Sequence, residues 1–176
     1  MKKVILTLAV LYSLAFQCDP GTGIYDTNAR DMEIITGIQI RAGNSTELQK
    51  LGNPNSKTGG IMAYPNPVNT QLRGLGSDIV RRIWFVPGVL EHDFQGVEFD
   101  VLYRDFVYPQ ADIESDMIKF YTPNTPNFAI NVTTVPSGYY RVFYLLDNGE
   151  MYWDNIYVDH EKPFQESVDQ LTADWN

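Results

Sequence analysis

Two apolar runs meeting at one short turn constrain this chain most. Residues 139–146 are apolar on both alternating faces, residues 151–158 follow at once, and Asp147-Asn148-Gly149 lies between them. Asn-Gly readily supplies the two positive-φ positions of a tight hairpin. The pattern therefore predicts two antiparallel strands joined by a two-residue turn, with 139–146 central in a sheet.

The same grammar recurs upstream. Segments 60–64, 71–75, 79–86, 98–108, 117–121 and 128–134 are short strand-like runs punctuated by Gly, Pro and Asn. Phe128, Ile130 and Val132 alternate cleanly, which implies one buried face. Short strands at this spacing predict an all-β fold, an antiparallel β-sandwich. Before them, Ile34, Thr36, Ile38 and Ile40 alternate with Ile35, Gly37 and Gln39, the pattern of an N-terminal strand. Residues 42–60 turn to Gly, Asn, Ser, Lys and Pro and read as a long loop. After residue 158 the period changes. Phe164, Val168, Leu171 and Trp175 fall at helical spacing behind Pro163, so 163–175 predicts a short amphipathic helix. So short a helix is marginal in water, and its apolar face must dock on its own sandwich or on a partner.

The first residues give an address. Lys2 and Lys3 precede an apolar run over 4–16, too short to cross a bilayer as a helix, which ends beside Cys18, the single cysteine of the chain. This resembles a bacterial lipoprotein signal, although Leu14 stands four residues before the cysteine and Gln17 directly before it. The resemblance implies a cleaved leader over 1–17 and a covalent lipid on Cys18, and hence an outer-membrane, lipid-anchored protein at the cell surface or on the periplasmic face. The remaining partition is a flexible tether over 18–32, the N-terminal strand and long loop over 33–60, the sandwich over 61–160 and an acidic tail over 161–176. A formal charge of −9, with 22 acids against 13 Lys and Arg, argues against a nucleic-acid partner. One cysteine leaves no disulfide framework within the chain and no Cys-based zinc site.

Tyr64-Pro65-Asn66-Pro67-Val68-Asn69 and, some seventy residues on, Val135-Pro136-Ser137-Gly138-Tyr139-Tyr140 form an ordered pair of motifs. With the turn and closing strand that follow, they resemble the type A C-terminal sorting domain of type IX secretion in Bacteroidetes over residues 61–158. The resemblance implies an immunoglobulin-like sandwich of about seven strands and a Bacteroidetes source. In that family the closing strand is basic and ends the chain, whereas here an acidic tail follows Val158, so the fold alone is carried over. On physical grounds, Pro65 and Pro67 remove two N–H donors and are expected to mark a sheet edge that discourages pairing.

Catalytic chemistry finds few candidates. His92 and His160 sit among acids in turn-like sequence without metal-ligand spacing, and no serine lies in a nucleophile-elbow motif. Asp112, Glu114 and Asp116 alternate as a solvated strand edge would, without a calcium loop. The expectation is a non-enzymatic protein without a cofactor or metal. Aromatics are dense between residues 103 and 157, and Trp84 and Phe143 read as core. Alternation over 151–158 sets Trp153 and Tyr157 opposite Tyr152 and Ile156, so that one of these pairs would face outward and bind. The candidate binding residues are Tyr152, Trp153 and Tyr157, with Phe164, Leu171 and Trp175 of the tail. The leading expectation is a protein-binding accessory subunit of an outer-membrane complex for secretion or nutrient uptake. The alternatives are a surface-displayed carbohydrate-binding module with a glycan ligand, and a type IX cargo or adhesin fragment.

Overall fold

One long strand organises the architecture. In the computed structural model, which describes residues 27–44 and 49–175, residues 71–87 run as a single strand where the sequence pattern suggests two. In chain order the described residues form a 3-10 turn (Thr27–Arg30), β1 (Ile34–Ile35), β2 (Gly37–Ile40), β3 (Gln49–Gly52), β4 (Ile61–Tyr64), β5 (Gln71–Pro87), β6 (Val89–Leu90), α1 (Phe99–Leu102), α2 (Gln110–Asp116), β7 (Lys119–Tyr121), β8 (Thr125–Asn131), β9 (Gly138–Leu146), β10 (Met151–Val158) and α3 (Phe164–Trp175). The leader, Cys18 and most of the expected tether lie outside the described residues.

The start of β5 pairs antiparallel with β4 on one edge and β8 on the other, so that Arg73 faces Tyr64 and Ala129. From Val80 onward the same strand pairs with β9 and β7, so that Trp84 faces Phe143 and Phe120. Register shifts between Leu75 and Val80 let the strand turn from one half of the sheet into the other. The outcome is a mostly β protein built on one curled, antiparallel, six-stranded sheet. Its inner faces meet in a core of Ile61, Leu72 and Ile130 from one half and Phe85, Val142, Tyr144 and Ile156 from the other.

The half made by late β5, β9 and β10 is covered on its outer face as well. Trp84, Phe143 and Trp153 lie beneath α1, α2 and the segment around Ala29. Tyr139 and Tyr157 lie beneath the β2–β3 hairpin and α3. Two-sided cover explains why these strands read as continuous apolar runs. It also settles where the tail helix docks. Leu171 is fully buried, Val168 nearly so, and Trp175 lies against Gly52, whose φ of 65° and missing Cβ make room for the ring.

Several expectations are corrected. Residues 98–108 form no strand: Phe99, Leu102 and Tyr103 are buried at helical spacing, with Tyr108 buried beyond them, while Val101 points outward at 42% exposure. Asp112, Glu114 and Asp116 are helical, on α2, whose buried residue is Ile113. The loop over 42–60 contains β3, whose one buried side chain, Leu51, packs in the same cluster as Leu171. The tether does not reach residue 32: Ala29 is buried, and its carbonyl accepts a bond from the Tyr103 hydroxyl at 3.0 Å. The hairpin loop has three residues, not two. Gly149 N–H donates to Leu146 O, Leu146 N–H donates to Glu150 O, and Gly149 (φ 84°) is the one loop residue at positive φ, the arrangement of a three-residue loop closed by a glycine bulge. The Pro65–Pro67 segment, with both X–Pro bonds cis, is stitched into the structure instead of forming a free edge.

Candidate binding surface

The side chains that sequence reasoning nominated are used internally. Trp153 is fully buried, donates its indole N–H to Asn55 O at 3.2 Å and stands edge-on to Tyr103 and Tyr108, with ring centres 5.0 and 5.1 Å away. Tyr157 packs against Tyr139 at 4.7 Å, in the cluster that also holds Phe164, Leu171 and Trp175. Burial, with Asp174 beside it, pushes the Tyr139 hydroxyl well above the ordinary tyrosine range. Tyr152 packs against the inner core, and its hydroxyl donates to Glu150 at 2.8 Å, which lowers that carboxyl. Neither face of β10 is an outward aromatic platform. The expected outward pair fails because covering segments distant in sequence close over both faces.

A polar seam that the sequence did not announce fastens those segments. Arg41 and Asp154 form a buried ion pair at 2.5 Å. The Asn66 side chain acts as a spare peptide unit at the edge of β10: its oxygen accepts from Tyr157 N–H at 3.0 Å, and its amide donates to Asn155 O and Gln39 O, both at 2.8 Å. Asn55 Oδ1 accepts from the Asn155 amide at 2.7 Å. Arg141, fully buried, donates to Ile34 O at 2.6 Å and to the Tyr108 hydroxyl at 2.7 Å. Burial raises Tyr108 and Tyr144 far above the ordinary tyrosine range, so both stay neutral. Most of these groups satisfy one another in the interior and hold the layers together, while Arg141 Nε, Asn155 Oδ1 and the Tyr144 hydroxyl find no partner among the described residues.

The histidines are likewise engaged. The ring of His160 contacts Asn69 O at 2.5 Å and Val135 O at 2.7 Å, and that of His92 lies 4.9 Å from the Trp175 ring. Glu114 pairs with Arg82 at 2.7 Å. Among the described residues no group of three or more His, Cys, Asp or Glu could hold a metal, and no helix is long and apolar enough to cross a membrane.

Three open surfaces stand out among the described residues. The first is a groove of about 670 Å³ between the β3–β4 connection and α1, bordered by Lys57, Ser56, Glu98, Phe99 and Arg104. The second is the outer edge of β7 and β8. Among the described residues each of these strands pairs with no strand but β5, and Ile118 and Phe120 stand beside that edge at 48% and 51% exposure. The third is the outer face of β4, early β5 and β8. Register sets Met62, Leu75 and Asn127 in one row, Tyr64, Arg73 and Ala129 in the next, and Gln71 beside Asn131 in the last. Arg73 is the one charged side chain in these rows. Beside them a hollow of about 570 Å³ is bordered by Tyr64, Gln71, Arg73, Thr70 and Gly43.

No protein-family model, no curated protein and no solved structure matches this chain.

Proposed function

We propose that the curled sheet is an immunoglobulin-like β-sandwich related to type A sorting domains. In this reading the protein is a non-enzymatic outer-membrane lipoprotein, anchored through Cys18, that serves as a protein-binding accessory subunit of an envelope complex for secretion or nutrient uptake. The observation that carries the reading is the β7–β8 edge. An unpaired strand edge offers a partner a row of peptide N–H and C=O groups, and natural edges are normally blunted by charge. Over residues 117–134 this edge bears a single charged residue, Lys119, in an otherwise acidic chain; Pro123 and Pro126 remove two N–H donors, and the stretch from Asn127 to Asn131 keeps its own. Ile118 and Phe120 add apolar anchors of the kind that dominate binding interfaces. The occupant is an extended strand of a partner subunit.

The test is co-purification from gently solubilised outer membranes. Wild type should bring down defined envelope subunits. Ile118→Ser with Phe120→Ser should lose them while melting as wild type does, and Cys18→Ser should leave the membrane fraction. Retention of the same subunits by the edge variant would remove this surface from the reading, and a mature protein with an intact Cys18 thiol would remove the anchor.

A further inference from the structure

Beyond protein docking, we infer that the bare outer face of β4, early β5 and β8 binds an anionic saccharide, a uronic-acid oligomer, with Arg73 as the carboxylate-reading residue. Three features of the face converge on that class.

The first is the state of the arginine. Arg73 is exposed, and its Nε–H donates to Gln71 Oε1 at 2.9 Å. That bond holds the guanidinium and leaves both terminal nitrogens without a partner among the described residues. Two adjacent N–H donors on one planar fork match a carboxylate in bidentate geometry. A lysine or a mobile arginine would lack that directional match.

The second is what surrounds it. Tyr64 lies directly opposite Arg73 in the register and supplies a ring with an apolar face and a polar tip, which suits a sugar's C–H face and hydroxyl rim. Gln71, Asn127 and Asn131 are exposed carboxamides, each combining donor and acceptor groups, as hydroxyl recognition requires. The Asn131 side-chain oxygen is taken by Thr133, at 2.8 Å from the backbone N–H and 2.6 Å from the hydroxyl, so what this side chain offers a ligand is its amide donors. The adjoining hollow of about 570 Å³ is of the size that small-ligand sites occupy.

The third is charge. The chain carries 22 carboxylates, yet none stands in the outward rows of these three strands. Beyond a Debye length of about 8 Å the body's other charges are largely screened, so the local cation decides what binds. A neutral sugar would offer the fork hydroxyl acceptors without the charge or the bidentate geometry of a carboxylate, and an anion lacking hydroxyls would leave the ring and the amides unused.

Calorimetric titration of the full chain tests this with oligogalacturonate and oligomannuronate, against cellohexaose and inorganic phosphate. At least one uronate oligomer should bind, and Arg73→Met should weaken it tenfold or more at unchanged melting temperature. Tyr64→Ala should weaken it as well, whereas Arg104→Met, in the separate groove, should not. The inference is overturned if neither uronate binds, if cellohexaose binds equally well, if phosphate alone binds as tightly, or if Arg73→Met leaves affinity unchanged. Ile118→Ser with Phe120→Ser should keep the sugar affinity, so this inference and the docking reading can fail separately.

Discussion

The same strand, β5, passes through two environments. At its start Gln71 and Arg73 face water while Leu72 is fully buried; further on, Ile83, Trp84, Phe85 and Val86 are all buried. The first stretch alternates because one of its faces is bare. The second is continuously apolar because α1, α2 and the segment around Ala29 cover the face that would otherwise meet solvent. Periodicity in one strand thus reports how many layers lie on it, and it changes where the layers change. Binding capacity follows the same division, since the covered half spends its aromatics on packing and the bare half leaves its polar groups available.

The sharpest way to break this comparison is one substitution in each half. Trp153→Ala removes a fully buried indole from the covered half and should cost about 3–5 kcal/mol in urea unfolding. Arg73→Met on the bare face should stay within about 0.5 kcal/mol of wild type. Similar losses at the two positions would mean that the bare face is covered in solution.

Next in size is removal of the cover itself. Deleting residues 161–176 takes away Leu171 and Val168 and exposes Tyr139, Tyr157 and Ile38. Burial of one large apolar side chain contributes about 1.5–3 kcal/mol, so after the entropy of ordering the helix a net loss of about 2–4 kcal/mol is expected. A melting temperature lower by several degrees in the truncated chain checks it, and an unchanged value would show that α3 is dispensable to the covered half.

That helix was legible in sequence because Phe164, Val168, Leu171 and Trp175 repeat at one period over enough turns to exclude a strand. Segment 98–108 was not, because Phe99, Val101 and Tyr103 alternate while Phe99, Leu102 and Tyr103 also fit a helix turn, and so short a run cannot decide between them. β3 has one buried apolar residue, Leu51, and no pattern to read. The seam was equally hidden: a lone Asn66 between two prolines carries no local sign that its amide will bridge Gln39 O, Asn155 O and Tyr157 N–H. Alternation over 151–158 points to one outward pair, Trp153 with Tyr157 or Tyr152 with Ile156, because it identifies two faces but not the remote segments that close over them. Arg73 and Gln71 are legible as an outward polar face for the same local reason. That this face stays bare depends on the whole chain.

A smaller effect should come from the turn that joins β9 to β10 inside the covered half. Gly149 has φ 84° and open space where a Cβ would stand, so only backbone strain opposes substitution. Gly149→Val should cost about 1 kcal/mol or slightly more, because a β-branched residue is strained at positive φ. Gly149→Asn, which tolerates that region better, should recover part of the loss. Equal melting temperatures for wild type and the valine variant would contradict the glycine-bulge geometry.

The smallest effect concerns the pin that holds α3 against the covered half. Asp159 is buried, which opposes its charge, but it accepts bonds from Glu161 N–H at 3.0 Å, Lys162 N–H at 3.2 Å and the Ser167 hydroxyl at 2.9 Å. With the Lys162 ammonium nearby, these bonds outweigh burial and hold the carboxyl below its ordinary value. A carboxyl depressed in the folded state binds its proton more readily when unfolded. Its stabilisation is therefore fully present above the unfolded pKa and is lost as pH falls through the lower, folded pKa. Urea unfolding of wild type and Asp159→Asn across that acid window should show a stability difference that shrinks as pH falls, while Arg73→Met, on the bare face, keeps a constant offset from wild type. The loss should stay below that of the full truncation, because α3 keeps its apolar contacts when Asp159 is neutral. A difference that does not change with pH would mean that the carboxylate's charge does not help to pin the helix, and that Leu171 and Val168 hold it unaided.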